Sequence, residues 1–231
     1  MAAGKEITRG EVELVAVTST LPVVPFPPPE QRAAILTERL LLRPYQEADL
    51  QALYEMQSDP EVAQWTSTGI AHTDIQETKK SLEPMLQNAA ERQDYVICQA
   101  STGQVIGQGG CHRRCGTLGW PEIGYSLRKE FWGQGYGTEF LQGFLQLWWT
   151  LPRAEVHLNV DKTTIPDGNA GGVVPECMVA ITIEANKASR GVMAKGGFEL
   201  VRRHPVIDLR DNTQTIDLFC HAARRPRESQ N

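Results

Sequence analysis

The chain has 231 residues, 41% of them hydrophobic and 22% charged, with a formal net charge of −5 at neutral pH. That composition supports one globular domain of ordinary size with appendages. Acidic and basic residues are mixed along the whole length, which excludes the basic footprint of a nucleic-acid or anionic-membrane binder. No apolar run reaches the length of a membrane span. The start, MAAGKEITRGEVELVAV, lacks the basic flank and apolar core of a secretory leader. Five cysteines in no regular framework are expected as reduced thiols. The expectation is a cytoplasmic protein with no nucleic-acid or membrane partner.

Residues 1–34 read as an extended, proline-rich N-terminal appendage, because LPVVPFPPPE at 21–30 fixes backbone φ repeatedly. It would serve as a spacer or as a PxxP ligand, and EVELVAV within it has the look of a strand. A domain over 35–222 follows. RLLLRPY is a strand ended by Pro44, and Ala48, Leu50, Leu53, Tyr54 and Met56 make a helical stripe that stops at Asp59–Pro60. A second helix is expected at about 73–92. Residues 94–112 form a hairpin around Ser101–Gln104, and WPEIGYSLRKE contributes a strand at about 121–128. TEFLQGFLQLWWTL is an amphipathic helix with Phe140, Leu141, Phe144, Leu145 and Trp148 inward. AEVHLNV is a strand and NKASRGVMAKGGFEL a helix ending at Gly196–Gly197. Two strands joined at Arg210–Asn212 close the domain, leaving a tail at 223–231. This order predicts an α/β (α+β) domain: a mixed, mostly antiparallel sheet with helices on both faces.

The chemistry concentrates at residues 132–138, WGQGYGT. A phosphate-binding P-loop would need Lys after its last glycine, where Thr138 stands, and a dinucleotide fingerprint would need Gly at that same position. What remains is Gly133, Gly135 and Gly137 running directly into a helix. A helix start leaves N–H groups unpaired at the positive end of the dipole, and glycines let them converge on an anion. Charge-assisted hydrogen bonds contribute roughly 1.5–3 kcal/mol each, so such a loop could hold a diphosphate without lysine. The C-x-x-x-C of Cys111 and Cys115 has no second pair, so no metal site is expected.

EIGYSLRKEFWGQGYGTEFLQGFL followed by NKASRGVMAKGGFEL resembles the GNAT family of N-acetyltransferases, most nearly its ribosomal-protein N-terminal acetyltransferase branch, over roughly residues 35–222. The resemblance implies acetyl-CoA as cosubstrate. Main-chain groups of Ser126 and Leu127 would meet the pantetheine arm, and Trp132, Gly133, Gln134, Gly135, Tyr136, Gly137 and Thr138 would surround the phosphates. Asn186 and Ser189, the N-x-x-S pair, would meet the arm further along. Trp132 stands where Gln or Arg is usual. In relatives a strand ending in Val-Asp leads almost at once to the N-x-x-S helix; here residues 162–185 intervene, and read as an insertion: a lid or specificity loop, a tolerated surface insertion, or a stretch of unremoved intron.

The implied reaction is attack of a neutral amine on a thioester. A lysine-type ammonium with pKa about 10.4 carries a penalty of roughly 4.6 kcal/mol at pH 7, whereas an α-amine at about 7.7–8.0 carries only about 1–1.4 kcal/mol. Glu122, at the start of a strand flanking the cofactor, is the first candidate for general base, against the reading of a solvated carboxylate. His157 and, more weakly, Asp161 are others, His157 equally readable as an ordinary strand histidine. Relatives often carry a tyrosine where this chain has Met193. Ser189, one turn earlier, is the hydroxyl available to the departing thiolate, or a packing residue. The acceptor is a protein N-terminus or a small amine, and association into homodimers is left open. The alternative is a non-catalytic acyl-CoA-binding module of the same fold.

Overall fold

The computed structural model describes residues 8–9, 11–87, 90–166, 170–208 and 214–226. In chain order its strands are β1 Thr8–Arg9, β2 Leu14–Pro22, β3 Ile35–Leu36, β4 Leu40–Arg43, β5 Gln93–Gln99, β6 Val105–Arg113, β7 Glu122–Leu127, β8 Arg153–Asp161, β9 Cys177–Ile183, β10 Glu199–Ile207 and β11 Thr215–Arg224. The α-helices are α1 Leu50–Gln57, α2 Pro60–Ala63, α3 Ile75–Gln87, α4 Tyr136–Thr150 and α5 Lys187–Lys195. The expected turn at Arg210–Asn212 and most of the expected tail lie outside the described residues. Helices α1, α3, α4 and α5 and the hairpin fall where periodicity and turn chemistry put them; α2 is an addition, opened by Asp59 Oδ1 accepting from the Glu61 N–H at 2.8 Å just where the stripe is expected to stop. The architecture is the expected one: α/β, with mostly antiparallel sheet flanked by helices.

The elements group into two units, one formed by residues up to Leu21, Cys115–Glu122 and Arg153 onward, the other by Pro22–Arg114 and Ile123–Pro152. In the second unit β3, β4, β5 and β6 pair antiparallel in sequence order, with β7 beside β6. One core cluster joins Leu53 and Met56 of α1, Val62 of α2 and Leu82 of α3 to Tyr45, Val96 and Cys98. Helix α4 buries the predicted stripe, and Phe140, Phe144 and Trp148 stack along it at 6.1 and 5.9 Å between ring centroids. The floor under α4 is cleared by Gly109, where a Cβ would stand 2.5 Å from the Phe140 ring and 2.8 Å from Tyr125 Cβ. The proline-rich stretch is fastened to this unit rather than free: Phe26 packs on Trp148 at 6.1 Å, and the Val23 N–H donates to the Pro152 carbonyl at 2.9 Å.

In the first unit β10 and β9 flank β11, both antiparallel to it, and β1 lies parallel along β10. β9 meets the start of β7 in parallel at Glu122↔Val179. A separate two-stranded sheet joins β2 and β8. Trp120 is the centre of the core, fully buried with Val17, Leu21, Leu118, Val160 and Val179. Its indole N–H donates to Thr164 Oγ1 at 2.7 Å.

Two boundaries differ from the sequence reading. Residues 14–22 belong to the fold, not to an appendage: Val17, Ser19 and Leu21 face the core, an alternation that period-2 geometry turns into one wet and one dry face. The stretch 162–185 is no lid either. β8, the strand expected to precede the N-x-x-S helix, lies in the two-stranded sheet, where its alternation of Val156, Leu158 and Val160 with exposed Glu155, His157 and Asn159 suits one covered face. β9 takes the place before α5. Its run Cys177–Ala180 is buried throughout, as expected of a strand with neighbours on both edges. Between them, residues 171–174 lie along β2, with the Thr18 N–H donating to the Gly172 carbonyl at 3.0 Å and the Val174 N–H to the Thr18 carbonyl at 2.9 Å. Removing 162–185 would excise β9 and is expected to leave no soluble protein. Leu21→Ala is expected to cost about 2–4 kcal/mol by urea unfolding. A loss below about 0.5 kcal/mol, the size usual for an exposed site, would make residues 14–22 an appendage after all.

Candidate active site

The chain turns from β7 through a short 3-10 turn at Lys129–Phe131 into the glycine loop. Trp132 closes that turn, and its indole N–H donates to the Leu127 carbonyl at 2.8 Å. The aromatic residue at this position thus braces the loop against the strand it leaves, and of the main-chain groups expected to meet pantetheine the Leu127 carbonyl already accepts this bond. Gln134 holds the next corner through Nε2 to the Glu130 carbonyl at 2.7 Å.

Gly133 and Gly135 adopt φ values of 72° and 86°. Space is not the reason at Gly133, where a Cβ would meet nothing within 4 Å; the left-handed backbone is. Gly135 is the residue that caps α4, and it does so without a side-chain hydrogen bond. Gly137 serves packing: a Cβ there would stand 3.1 Å from the Tyr125 ring, so the first turn of α4 presses onto β7. Tyr136 is buried, receives a hydrogen bond on its hydroxyl from Gln99 Nε2 at 3.2 Å, and meets Phe131 edge-on at 6.0 Å. None of the six main-chain N–H groups from Gly133 to Thr138 donates to an acceptor among the described residues. Six unpaired amides at the positive end of a fifteen-residue helix present the kind of donors that an anion of diphosphate size requires.

The other candidates lie in the first unit. Glu122 opens β7, is 7% exposed, and its Oε2 accepts from the Thr117 N–H at 3.2 Å. Gly116 makes room for it, since a Cβ at that position would fall 2.4 Å from the same oxygen. A solvated strand-end carboxylate is therefore not what the fold makes of Glu122. Asn186 caps α5, its Oδ1 accepting from the Ser189 N–H at 3.0 Å. The N-x-x-S spacing is thus first of all an N-cap. It engages the amide oxygen of Asn186 and not its NH2 group. Ser189 is half-buried and Met193, one turn on, is buried. His157 stands on the exposed face of β8, its Nδ1 3.1 Å from Thr18 Oγ1, in the two-stranded sheet rather than on β7 or β9.

Asp161 is not a site residue in this arrangement. It is fully buried, its Oδ1 accepting from the N–H and hydroxyl of Thr163 and its Oδ2 lying 3.0 Å from Arg202 Nε. Burial, and after it the charge of Asp161, raise the Cys220 thiol to about 12. The pair fastens β8 to β10. Cys111 and Cys115 donate to different carbonyls, those of Arg113 and Gly119, and no cluster of His, Cys, Asp or Glu among the described residues is placed to hold a metal. None of the helices described is long and apolar enough to cross a membrane.

The acetyltransferase (GNAT) domain family matches residues 39–199, more than half of the chain. This chain belongs to the GNAT acetyltransferase family. It is accordingly an acyltransferase with acetyl-CoA as cosubstrate, and the unpaired amides of 133–138 fit the diphosphate of that molecule. The N-acetyltransferase p20 of Bacillus licheniformis, itself uncharacterized, is 29% identical over 136 residues, spanning 56% of this chain and 75% of its own. Two solved structures from Vibrio cholerae share the fold. One, named as a putative ribosomal-protein-serine acetyltransferase, superposes with a TM-score of 0.59 at 17% identity, covering 84% of this GNAT chain and 98% of its own. A spermidine N-acetyltransferase in complex with CoA and spermine superposes with a TM-score of 0.58 at 12% identity, covering 82% and 97%.

Gly135→Ala would place a side chain at φ 86°, and its Cβ would stand 3.4 Å from Arg39 Nη2. The variant is expected to lose about 1–2 kcal/mol of stability and to bind CoA at least about tenfold more weakly by titration calorimetry. Unchanged CoA affinity would remove the loop from the binding site.

Proposed function

We propose that this GNAT protein transfers the acetyl group of acetyl-CoA to a primary amine, either a protein N-terminus or a small molecule. The observation that carries the reading is the run of six amides from Gly133 to Thr138 with no acceptor among the described residues. Those amides, with Trp132 and Gln134 bracing the bend, hold the diphosphate. Main-chain groups of Ser126 and the N–H of Leu127 hold the pantetheine arm, and the Asn186 amide NH2 group donates to it further along.

Bound acetyl-CoA supplies an activated acetyl group. The chain must then deliver a neutral amine and shelter the thiolate as its bond to the acetyl carbon breaks. Glu122 accepts the amine proton, directly or through one water. Its fixed position, set by the Thr117 N–H and the gap at Gly116, suits a base that must meet its partner at one distance. His157, tied to Thr18 on the other sheet, is not given that role. Ser189 carries the one hydroxyl of α5 and donates to the thiolate where a tyrosine would otherwise serve. Solved structures of the same fold, one a ribosomal L7/L12 α-N-protein acetyltransferase and another a spermidine N-acetyltransferase, support both acceptor classes.

The test is release of free thiol from acetyl-CoA with a panel of peptide α-amines, polyamines and lysine-type amines. Wild-type turnover on at least one is expected, with Glu122→Gln slower by about a hundredfold or more in kcat while CoA binding is retained. No release with any amine, together with intact CoA binding, would establish the non-catalytic acyl-CoA-binding module instead.

A further inference from the structure

Glu139 poses a difficulty for the cradle. It lies in the first turn of α4, one residue past the last unpaired amide, and a free carboxylate there would repel the phosphates that those amides attract. Its charge is not free. Oε1 accepts from the Arg39 N–H at 2.7 Å and from Thr37 Oγ1 at 2.6 Å, and Oε2 accepts from Arg39 Nε at 2.7 Å. Burial opposes ionisation of this carboxyl, but those three bonds outweigh it and hold it below its usual range. Arg39 has further contacts with the same loop. Its Nη1 donates to the Gln134 carbonyl at 3.1 Å, its guanidinium lies 4.4 Å over the Tyr136 ring, and Nη2 stands 3.4 Å from where a Gly135 Cβ would be.

Resting on the acetyl-CoA reading of this loop, we infer that Arg39 is a positioning residue for coenzyme binding: it cancels the first-turn carboxylate of Glu139 and pins the Gln134 carbonyl away from the face that the six amides present. A planar fork does both at once, as lysine could not: Nε serves the carboxylate, Nη1 the carbonyl, and the flat face the tyrosine ring. Orientation of the peptide matters as much as charge. A carbonyl of 133–138 turned toward the phosphates would cancel an amide, and Gln134 is the residue whose carbonyl Arg39 holds. The approach of the Thr37–Arg39 turn to α4 depends on Gly143, where a Cβ would fall 2.6 Å from the Thr37 methyl.

The test measures CoA and dephospho-CoA binding by calorimetry, and kcat and KM for acetyl-CoA, on full-length wild type, Arg39→Ala, Arg39→Lys, Glu139→Gln and the Arg39→Ala/Glu139→Gln double variant. Arg39→Ala is expected to weaken both ligands by about tenfold, to raise KM by a like factor and to leave kcat at saturation within about twofold. Arg39→Lys should recover part of the loss, and the double variant most of it, because the uncompensated carboxylate is gone. Glu139→Gln alone keeps an acceptor for Thr37 and Arg39 and should bind CoA at least as tightly as wild type, which keeps the inference testable should Arg39→Ala fold poorly. CoA affinity equal to wild type in Arg39→Ala, a loss seen with CoA but not dephospho-CoA, or tenfold weaker binding in Glu139→Gln would overturn it. Failure of the wild type itself to bind CoA would instead sink the acetyl-CoA reading of the loop and this inference with it.

Discussion

Six peptide N–H groups, from Gly133 to Thr138, without acceptors among the described residues, are the constraint around which the second unit is arranged. Leaving main-chain donors unpaired costs stability wherever water is excluded, so a fold keeps such a run only where it remains accessible or where a ligand completes it. The surrounding contacts all hold the bend open. Trp132 and Gln134 fasten its outer corners, Tyr136 anchors the first helical residue, and the aromatic stack on α4 fixes the helix axis from which the amides project. The stability of α4 comes from that buried face and not from its start, whose cap is a glycine with no side chain to offer.

Much of this was legible in the sequence, because it is local. Alternate glycines before an amphipathic stretch can be read from spacing alone, and the φ values of Gly133 and Gly135 are those that glycine permits. The helices of the second unit follow their apolar periodicity for the same reason. The N-x-x-S cap at Asn186 is also local, although its first job is to close a helix end rather than to meet a ligand.

The parts that were not legible are those in which a residue's environment is set by a distant segment. β8 and β9 are both apolar strands within one stretch, and nothing in either says which pairs with β11 and which with β2. The answer lies in burial: a strand with neighbours on both edges needs an unbroken apolar run, which Cys177–Ala180 has and the alternating β8 does not. The same holds for β2, whose inward Val17 and Leu21 look like spacer residues until Trp120 is there to cover them. Asp161 looked like a weak candidate base because it ends a strand; what decides its role is Arg202, which no spacing rule would have paired with it.

The Arg39–Glu139 pair shows why long-range electrostatics resists sequence reading even when both partners sit in recognisable motifs. The two residues are separated by 100 positions, and each has a sufficient local explanation: Arg39 as a charged residue before a strand, Glu139 as a favourable acid in the first turn of a helix. That second explanation conflicts with the function of the loop. An acid near a helix N-terminus stabilises the helix by occupying the same positive potential that a diphosphate would use, so an unpaired Glu139 would trade binding for helix stability. Pairing it with Arg39 resolves the conflict: the carboxylate keeps its bonds at the helix start, and its field is answered by a guanidinium only 2.7 Å away instead of by the ligand. The helix start thus keeps a bonded acid while the anion meets no free negative charge, and the guanidinium that allows both comes from the distant Thr37–Arg39 turn.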